Sequence, residues 1–500
     1  MTRRGWRSRW TAVAAAGLTA AAMSGAGPGA AAGAATASGP QVKLLAAQKS
    51  LTVPRYGHQV YLDPGIWVAS LGSAFQLDLQ RADYSTPMTV TQVVHLPGGG
   101  TQQVPWPSGV VGTIPYALKK FIHLTVTNSG GKVVASENLG FCPDTYDPER
   151  ATTDSPATSP YPQECVGDPF PKSLVWGVAR GWAADPAESF RPLRLALGRY
   201  TVSESITPTY QQLLHIPAAD DSASVKVTVV KGSGCCGVAA HAAHRARSRP
   251  QNRPLRSAPL APTMANPPAS ALPDLVPLPS WGISVSHIRK TKTHPASDQL
   301  DFGATVSVGH APLDVEGFRS NGSHVMKAYQ YFWQNGKIIG RARAGTMGFD
   351  SKNGHDHWHF EQFAQYRLLN SAQNLAVRSH KVGFCIAPTD PVDLVPPTAV
   401  WQPGFLGFGG QCGSPTALWV QEIMPTGWGD TYFQDIAGQS FDITRVPNGT
   451  YYIEVAANPE KVLHETDTSN DASLRKVILG GKRGHRTVRV PAYDGIDPEG

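Results

Sequence analysis

Gly354-His355-Asp356-His357-Trp358-His359-Phe360-Glu361 sets three imidazoles at i, i+2 and i+4. Alternation of this kind suits a strand. Side chains two apart share one face of a strand, whereas on a helix His357 would point away from the other two histidines. The stretch therefore predicts a strand with His355, His357 and His359 on one face and Trp358 and Phe360 filling core on the other. Clustered imidazoles favour Cu, Zn, Ni or Fe over oxygen-loving ions. On a straight strand the outer two Cα atoms would stand roughly 13 Å apart, at about 3.3 Å per residue. One ion collects all three only if the strand bends or twists strongly there. The plain alternative is a solvated histidine-rich loop without a ligand.

The rest of the chain has the same β character. Many short runs containing Val, Ile, Tyr and Phe lie between turn clusters, glycine and proline together make up 92 of 500 residues, and only 16% of residues are charged. That composition predicts an all-β protein. The length predicts two or three domains with ample material for a core.

Residues 1–40 read as an export signal. Arg3, Arg4, Arg7 and Arg9 precede an apolar run from Trp10 to about Met23, followed by Ala31-Ala32-Gly33-Ala34-Ala35, with cleavage expected near residues 30–40. The run is too short and too alanine-rich for a permanent anchor, and no later segment approaches a transmembrane span. The mature protein is expected to be secreted.

Residues 237–271 are Ala/Arg/Pro-rich, with Arg249-Pro250-Gln251-Asn252-Arg253-Pro254 and Ala265-Asn266-Pro267-Pro268, and show no apolar period. Such a segment cannot repay the entropy of ordering and reads as a flexible linker. It also explains the formal charge of +7: four arginines belong to the signal and five (Arg245, Arg247, Arg249, Arg253, Arg256) to the linker, and removing those nine leaves −2. Nucleic-acid binding needs a basic face on a folded domain and is excluded. The linker is either a solvated tether or a contact to anionic cell-envelope polymers.

The linker separates residues 41–236 from residues 272–482, with 483–500 as a tail, and the two halves read as two β-sandwich-like domains related by a degenerate duplication. Phe75-Gln76-Leu77-Asp78-Leu79 resembles Asp298-Gln299-Leu300-Asp301-Phe302, and the run from Lys132 to Gly140-Phe141-Cys142 resembles that from Leu375 to Gly383-Phe384-Cys385. Gly181-Trp182 matches Gly427-Trp428, and Gly198-Arg199-Tyr200-Thr201-Val202 matches Gly449-Thr450-Tyr451-Tyr452-Ile453. The alternative is two all-β domains sharing ordinary turn vocabulary.

Six cysteines in an exported chain invite disulfides. The matched positions suggest Cys142–Cys165 and Cys385–Cys412, two loops of similar length worth about 3 kcal/mol each in the chain-entropy model. Cys235 and Cys236 remain as neighbours, open to a vicinal disulfide, an intermolecular bridge or two free thiols. No CxxC motif is present.

Beyond the histidines come His380-Lys381-Val382-Gly383-Phe384-Cys385, then Asp430-Thr431-Tyr432, then Asp442-Ile443-Thr444. Leu272-Pro273-Asp274-Leu275-Val276-Pro277 precedes them, and Asn458-Pro459 with Glu465-Thr466-Asp467-Thr468-Ser469-Asn470-Asp471 closes the set. In this order the motifs resemble the catalytic domain of the lysyl oxidase family, over roughly residues 272–480. The resemblance implies copper on His355, His357 and His359, and a lysine tyrosylquinone cofactor made by fusing Lys381 with Tyr432. The activity implied is that of a protein-lysine 6-oxidase-like copper amine oxidase. It converts primary amines, or lysine side chains of extracellular proteins, to aldehydes with O2, releasing ammonia and hydrogen peroxide. Asp356, Asp430 and His380 are the candidates for the proton-transfer base. A Ca2+ site is also implied, on Asp274, the Leu275 carbonyl, Glu465, Asp467, Asn470 and Asp471, and hard oxygens at this density suit that ion.

On an ungapped count from the shared cysteine, the three histidines become Gly112, Ile114 and Tyr116 in the first half, and Lys381 becomes Asn138. Tyr432 becomes Pro186, and the calcium residues become Leu214, Ile216, Ala219 and Asp220. The first half is thus expected to keep the scaffold without the chemistry, serving stability, substrate positioning or attachment. The chain departs from the animal pattern at Lys352, where an additional histidine is usual, in an insertion around Val395–Gln411, and in its smaller cysteine set. The competing function is a non-catalytic extracellular or cell-envelope β-sandwich protein whose metal only stabilises it.

Overall fold

The computed structural model describes residues 39–112, 116–186, 192–232, 259, 261–292, 295–319, 323–351, 357–379, 381, 383–403 and 412–500. The expected signal, most of the linker, His355, Asp356, His380 and the Cys235–Cys236 pair lie outside them. Residues 37–500 cluster as one unit. Its regular structure is almost wholly strand; among the described residues one short α-helix, Pro208–Leu213, and a single 3-10 turn are the exceptions.

Each half contains three sheets with matching neighbour order. In the first, Val42–Ala46, Ile66–Ser70, Trp182–Ala184 and Glu149–Arg150 correspond to Asp274–Pro277, Ser297–Gly309, Trp428–Tyr432 and Asp390–Pro391. In the second, Ser173–Val178, Phe75–Gln80, Thr89–His95 and Thr101–Pro105 correspond to Trp419–Met424, Leu313–Phe318, Val325–Gln334 and Lys337–Asp350. The latter sheet carries one more strand, His357–Phe360. In the third, Val133–Phe141, Leu118–Asn128, Gly198–Ile206 and Ser222–Lys231 correspond to Leu375–Arg378, Ala364–Asn370, Gly449–Ala457 and Ala472–Lys482.

Alternating apolar residues build these layers. Along Gly198–Ile206 the side chains of Tyr200, Val202, Glu204 and Ile206 are buried and those between them only half-buried, the signature of a strand with one face on the core. The matched tyrosines make the same local bond: Tyr200 donates to the Ala196 carbonyl at 2.9 Å and Tyr451 to that of Pro447 at 3.0 Å. Both expected disulfides, Cys142–Cys165 and Cys385–Cys412, are formed.

The structure corrects several details. Phe75–Gln80 occupies the place of Leu313–Phe318, not of the strand holding Asp298–Phe302. The resemblance of those two pentapeptides reflects only the period-2 pattern that half-buried strands share. The histidine register also moves by one. Leu118 pairs with Phe141 and with Val111, as Phe360 pairs with Phe384 and Met347, so the counterpart of His359 is Ala117 rather than Tyr116.

Part of the expected linker and the expected tail are packed. Residues 262–264, within the expected linker, run along the strand Lys337–Asp350: the Met264 N–H donates to Arg341 O at 2.8 Å and the Arg341 N–H to Pro262 O at 2.9 Å. The expected tail forms the strand His485–Arg489. Beyond it Glu499 pairs at 2.8 Å with Arg475, and Tyr493 packs edge-on against Phe170 and Tyr84 of the first half.

Candidate active site

Tyr432 ends the strand Trp428–Tyr432, which lies between Ser297–Gly309, with Ala304 opposite Tyr432, and Asp390–Pro391. The ring is half-buried, and its hydroxyl is fixed on one peptide. It accepts from the Cys385 N–H at 3.1 Å and donates to the Cys385 carbonyl at 3.1 Å. Phe384 stands edge-on to the ring, 5.4 Å between centres.

Lys381 is buried, with 8% of its surface exposed. Its Nζ lies 4.0 Å from the centre of the Tyr432 ring and 4.8 Å from that of Phe384. The Lys381 N–H donates to Ser379 Oγ at 3.1 Å, and that hydroxyl donates to the Gly438 carbonyl at 3.0 Å. The backbone leading into Lys381 is therefore tied down. Two residues 51 positions apart in sequence meet with the amine over the ring.

The histidine strand lies alongside. His357–Phe360 pairs antiparallel with Lys337–Asp350, with Gly348 opposite His359 and Asp350 opposite His357. Trp358 and Phe360 are fully buried, while the His357 and His359 rings sit 4.7 Å apart at 73°. The alternation read from the sequence thus holds over these four residues. Paired bonds between Phe360 and Phe384, of 2.8 and 3.0 Å, stitch the strand to the segment carrying Lys381. The Cys385–Cys412 disulfide and the Trp358 N–H bond to Cys412 O, 2.7 Å, close the link from behind. Gly383 is needed at this crossing, because a Cβ there would come within 2.8 Å of His359 Cβ.

Among the described residues no group of three His, Cys, Asp or Glu is arranged to hold a metal. Two imidazoles projecting side by side from one strand face fit the donor chemistry of copper or zinc, and the third expected ligand, His355, lies outside the described residues.

Two buried carboxyls complete the site. Burial holds Asp430 well above the ordinary carboxylate range, with Lys381 and the Tyr432 hydroxyl pulling the other way. Glu422, wholly buried, is raised by burial and by Asp430, although the Ile386 N–H donates to it at 3.1 Å. Burial and Asp430 also raise the Tyr432 phenol well above 10. Asp430 Oδ2 and Glu422 Oε1 have no hydrogen-bond partner. Sequence reasoning missed Glu422; the available signal was a lone acid in the apolar run Trp419-Val420-Gln421-Glu422-Ile423-Met424.

The acidic loop closes on the start of the second half. Asn470 Nδ2 donates to both Asp274 oxygens at 3.2 and 3.3 Å, the Thr466 N–H to Pro273 O at 2.9 Å, and the Leu275 N–H to Glu465 Oε2 at 3.3 Å. Burial, with Asp471 and Asp274 adding, pushes Glu465 up to about 7. Asn470 Oδ1 and Asp471 Oδ1 are buried without partners. Crowded carboxyls and orphaned oxygens fit a hard cation. Asp467 instead turns outward and accepts from the Ser469 N–H and hydroxyl at 2.8 and 2.7 Å.

Residues 317–487 match the lysyl oxidase family. Among curated relatives, human lysyl oxidase homolog 1 is 24% identical over 217 residues, covering 42% of this chain and 34% of that protein. Pig protein-lysine 6-oxidase is 31% identical over 133 residues, covering 26% and 47%. Bovine lysyl oxidase homolog 4 is 29% identical over 149 residues, covering 30% and 18%. The chain spans less than half the length of each.

Proposed function

We propose that this protein is a secreted copper-dependent amine oxidase whose cofactor is a lysine tyrosylquinone formed from Lys381 and Tyr432. The observation that carries the reading is the Lys381 amine 4.0 Å from the Tyr432 ring, inside residues 317–487, which match the lysyl oxidase family. The overall reaction takes a primary amine, O2 and water to an aldehyde, ammonia and hydrogen peroxide. Lysine side chains of extracellular proteins are the proposed substrate class.

Copper held by His355, His357 and His359 would supply the O2 chemistry that oxidises the phenol. The chain's own residues do the rest. The Cys385 peptide grips the hydroxyl at both its donor and its acceptor, so the ring cannot swing away from the amine. Lysine is the right captor because its amine, once deprotonated, is a nucleophile. Asp430, electrostatically coupled to Lys381, is the proposed acceptor of that proton and, in turnover, of the substrate α-proton. Of the other two expected candidates for this role, Asp356 and His380 both lie outside the described residues. Phe384, edge-on to the Tyr432 ring and with its ring centre 4.8 Å from the Lys381 amine, covers the reacting groups.

We further propose Ca2+ on Asp274, Glu465, Asn470 and Asp471, with the Leu275 carbonyl and Asp467 within the same segments, as a structural clip between the start and end of the second half. Its support is the pair of orphaned oxygens and the raised Glu465.

The test is peroxide release from a primary amine by copper-loaded protein, together with intact mass. The expected result is activity and a cross-link mass shift, both abolished by Tyr432→Phe and by Lys381→Ala. Activity that survives either substitution overturns this cofactor, whereas a copper-loaded wild type that releases no peroxide leaves the metal-stabilised binding protein.

A further inference from the structure

The two halves meet directly behind Tyr432. Asp390, 1% exposed, lies in the strand next to the tyrosine strand, and its carboxylate reaches across the boundary. Oδ1 accepts the Gly167 N–H at 2.9 Å and Oδ2 the Asp168 N–H at 2.8 Å, both from the first half. Oδ2 also accepts the Thr431 hydroxyl at 3.2 Å, and Thr431 Oγ1 lies 2.8 Å from Thr305 Oγ1. Thr431 is thus held from the first half through one buried carboxylate. Burial, with Asp168 adding, pushes the Asp390 carboxyl well above its ordinary range, and the three donors pull the other way.

The residue on the other side of Tyr432 is held by the same loop. Phe433 sits edge-on to Trp281, 5.4 Å between centres, and lies so close to Gly167 that a Cβ there would stand 3.1 Å from Phe433 Cζ. The backbone of the halves is also joined: the Lys172 N–H donates to Val392 O at 2.7 Å and the Leu394 N–H to Ser173 O at 3.1 Å.

We propose that the first half is a positioning element for the cofactor, its loop around Gly167–Asp168 fixing Thr431 and Phe433 so that the ring between them faces Lys381. The inference rests on the reading of Lys381 and Tyr432 as cofactor residues. The first half itself supplies the contrast. Glu149 holds the place of Asp390, opposite Ala183 as Asp390 is opposite Gly429, and it is exposed. At the place of the tyrosine the first half has Pro186. Asp390 and Gly167 are therefore positioning residues; neither touches substrate.

The experiment follows cross-link formation by intact mass after copper is added to metal-free full-length protein, for wild type, Asp390→Asn, Thr431→Val and Gly167→Ala. Copper stoichiometry and the thermal midpoint are measured in parallel. Wild type is expected to cross-link, and the variants to bind the same copper but cross-link at least tenfold more slowly. A merely structural role would lower the midpoint and leave the rate in the folded fraction unchanged. Folded variants that cross-link within twofold of wild type overturn the positioning role while leaving the oxidase intact. Should one variant fail to fold, the other two decide. A wild type that binds copper and never cross-links overturns the cofactor reading itself, and the positioning role with it.

Discussion

The two halves share three sheets and differ in what they do with them. At matched places the second half has Lys381, Tyr432 and Asp390, and the first has Asn138, Pro186 and Glu149. The acidic loop from Glu465 to Asp471 is matched by the stretch from Leu214 to Asp220, where Asp220 pairs with Lys43 at 2.7 Å. An ammonium thus stands in the first half where the second crowds carboxyls together. One scaffold tolerates both sets, so sheet order specifies the frame, and a handful of inward-facing side chains specify the chemistry.

The most direct way to break the contrast is to graft the first half's residue into the second. Lys381→Asn should lower peroxide release by at least about 10³-fold, a loss above roughly 4 kcal/mol of transition-state stabilisation. The thermal midpoint should move by only a few degrees, because the matched position in the first half carries the amide without disrupting its sheet. Retained activity would show that the contrast between halves is not catalytic.

The reverse exchange concerns stability. Glu204 is wholly buried, neither carboxylate oxygen has a partner, and burial, with Asp185 and Asp63 adding, pushes it up to about 8. Counting from Gly198 and Gly449, its place in the second half belongs to Val455. A carboxyl whose folded value exceeds its ordinary 4.5 contributes stability that is full below about 4.5 and drains away as the pH rises through about 8. At one pKa unit per about 1.4 kcal/mol, the loss is on the order of 3–5 kcal/mol. Glu204→Val should therefore be the more stable protein at pH 9, with most of that pH dependence gone. Urea midpoints across pH 5–9 test this, and parallel curves for the two proteins would refute it.

The disulfides sharpen the comparison further. They close loops of similar length, with separations of 23 and 27 residues, and removing either should cost about 3 kcal/mol. Only Cys385 carries the peptide that grips the Tyr432 hydroxyl. Cys385→Ser with Cys412→Ser should then slow cross-linking severalfold, whereas Cys142→Ser with Cys165→Ser should leave its rate unchanged in protein that remains folded. Intact mass reads both.

What could be read in the chain follows from which signals are local. The alternation at His357–Phe360 is a property of adjacent residues, and it gave the strand and its buried Trp358 and Phe360 correctly. The meeting of Lys381 with Tyr432 is not local. No spacing rule brings residues 51 positions apart together, and only the family resemblance paired them. Period-2 patterning identifies a strand but not which strand, which is why Phe75–Leu79 was matched to the wrong partner. Asp390 and Glu422 went unnoticed because a buried acid in a β run looks, in sequence, like the exposed residue of an alternating strand. Only the neighbouring sheet reveals that both faces are covered.

The smallest expected difference lies at the loops that end each half. Chelation by EGTA should lower the stability of the second half. Saturation at about 100-fold over Kd is worth roughly 2.7 kcal/mol, so a midpoint that rises with added Ca2+ and loses that rise in Asp471→Ala is the expected pattern. The Lys43–Asp220 pair is partly exposed, at 37% and 30%, and exposed pairs contribute about 0–1 kcal/mol. Lys43→Ala should hardly move the midpoint, and its effect should shrink further in 1 M salt. If Lys43→Ala proved as costly as calcium removal, the ion pair and the acidic cluster would be equivalent clips. The first half would then have replaced its cation rather than dispensed with it.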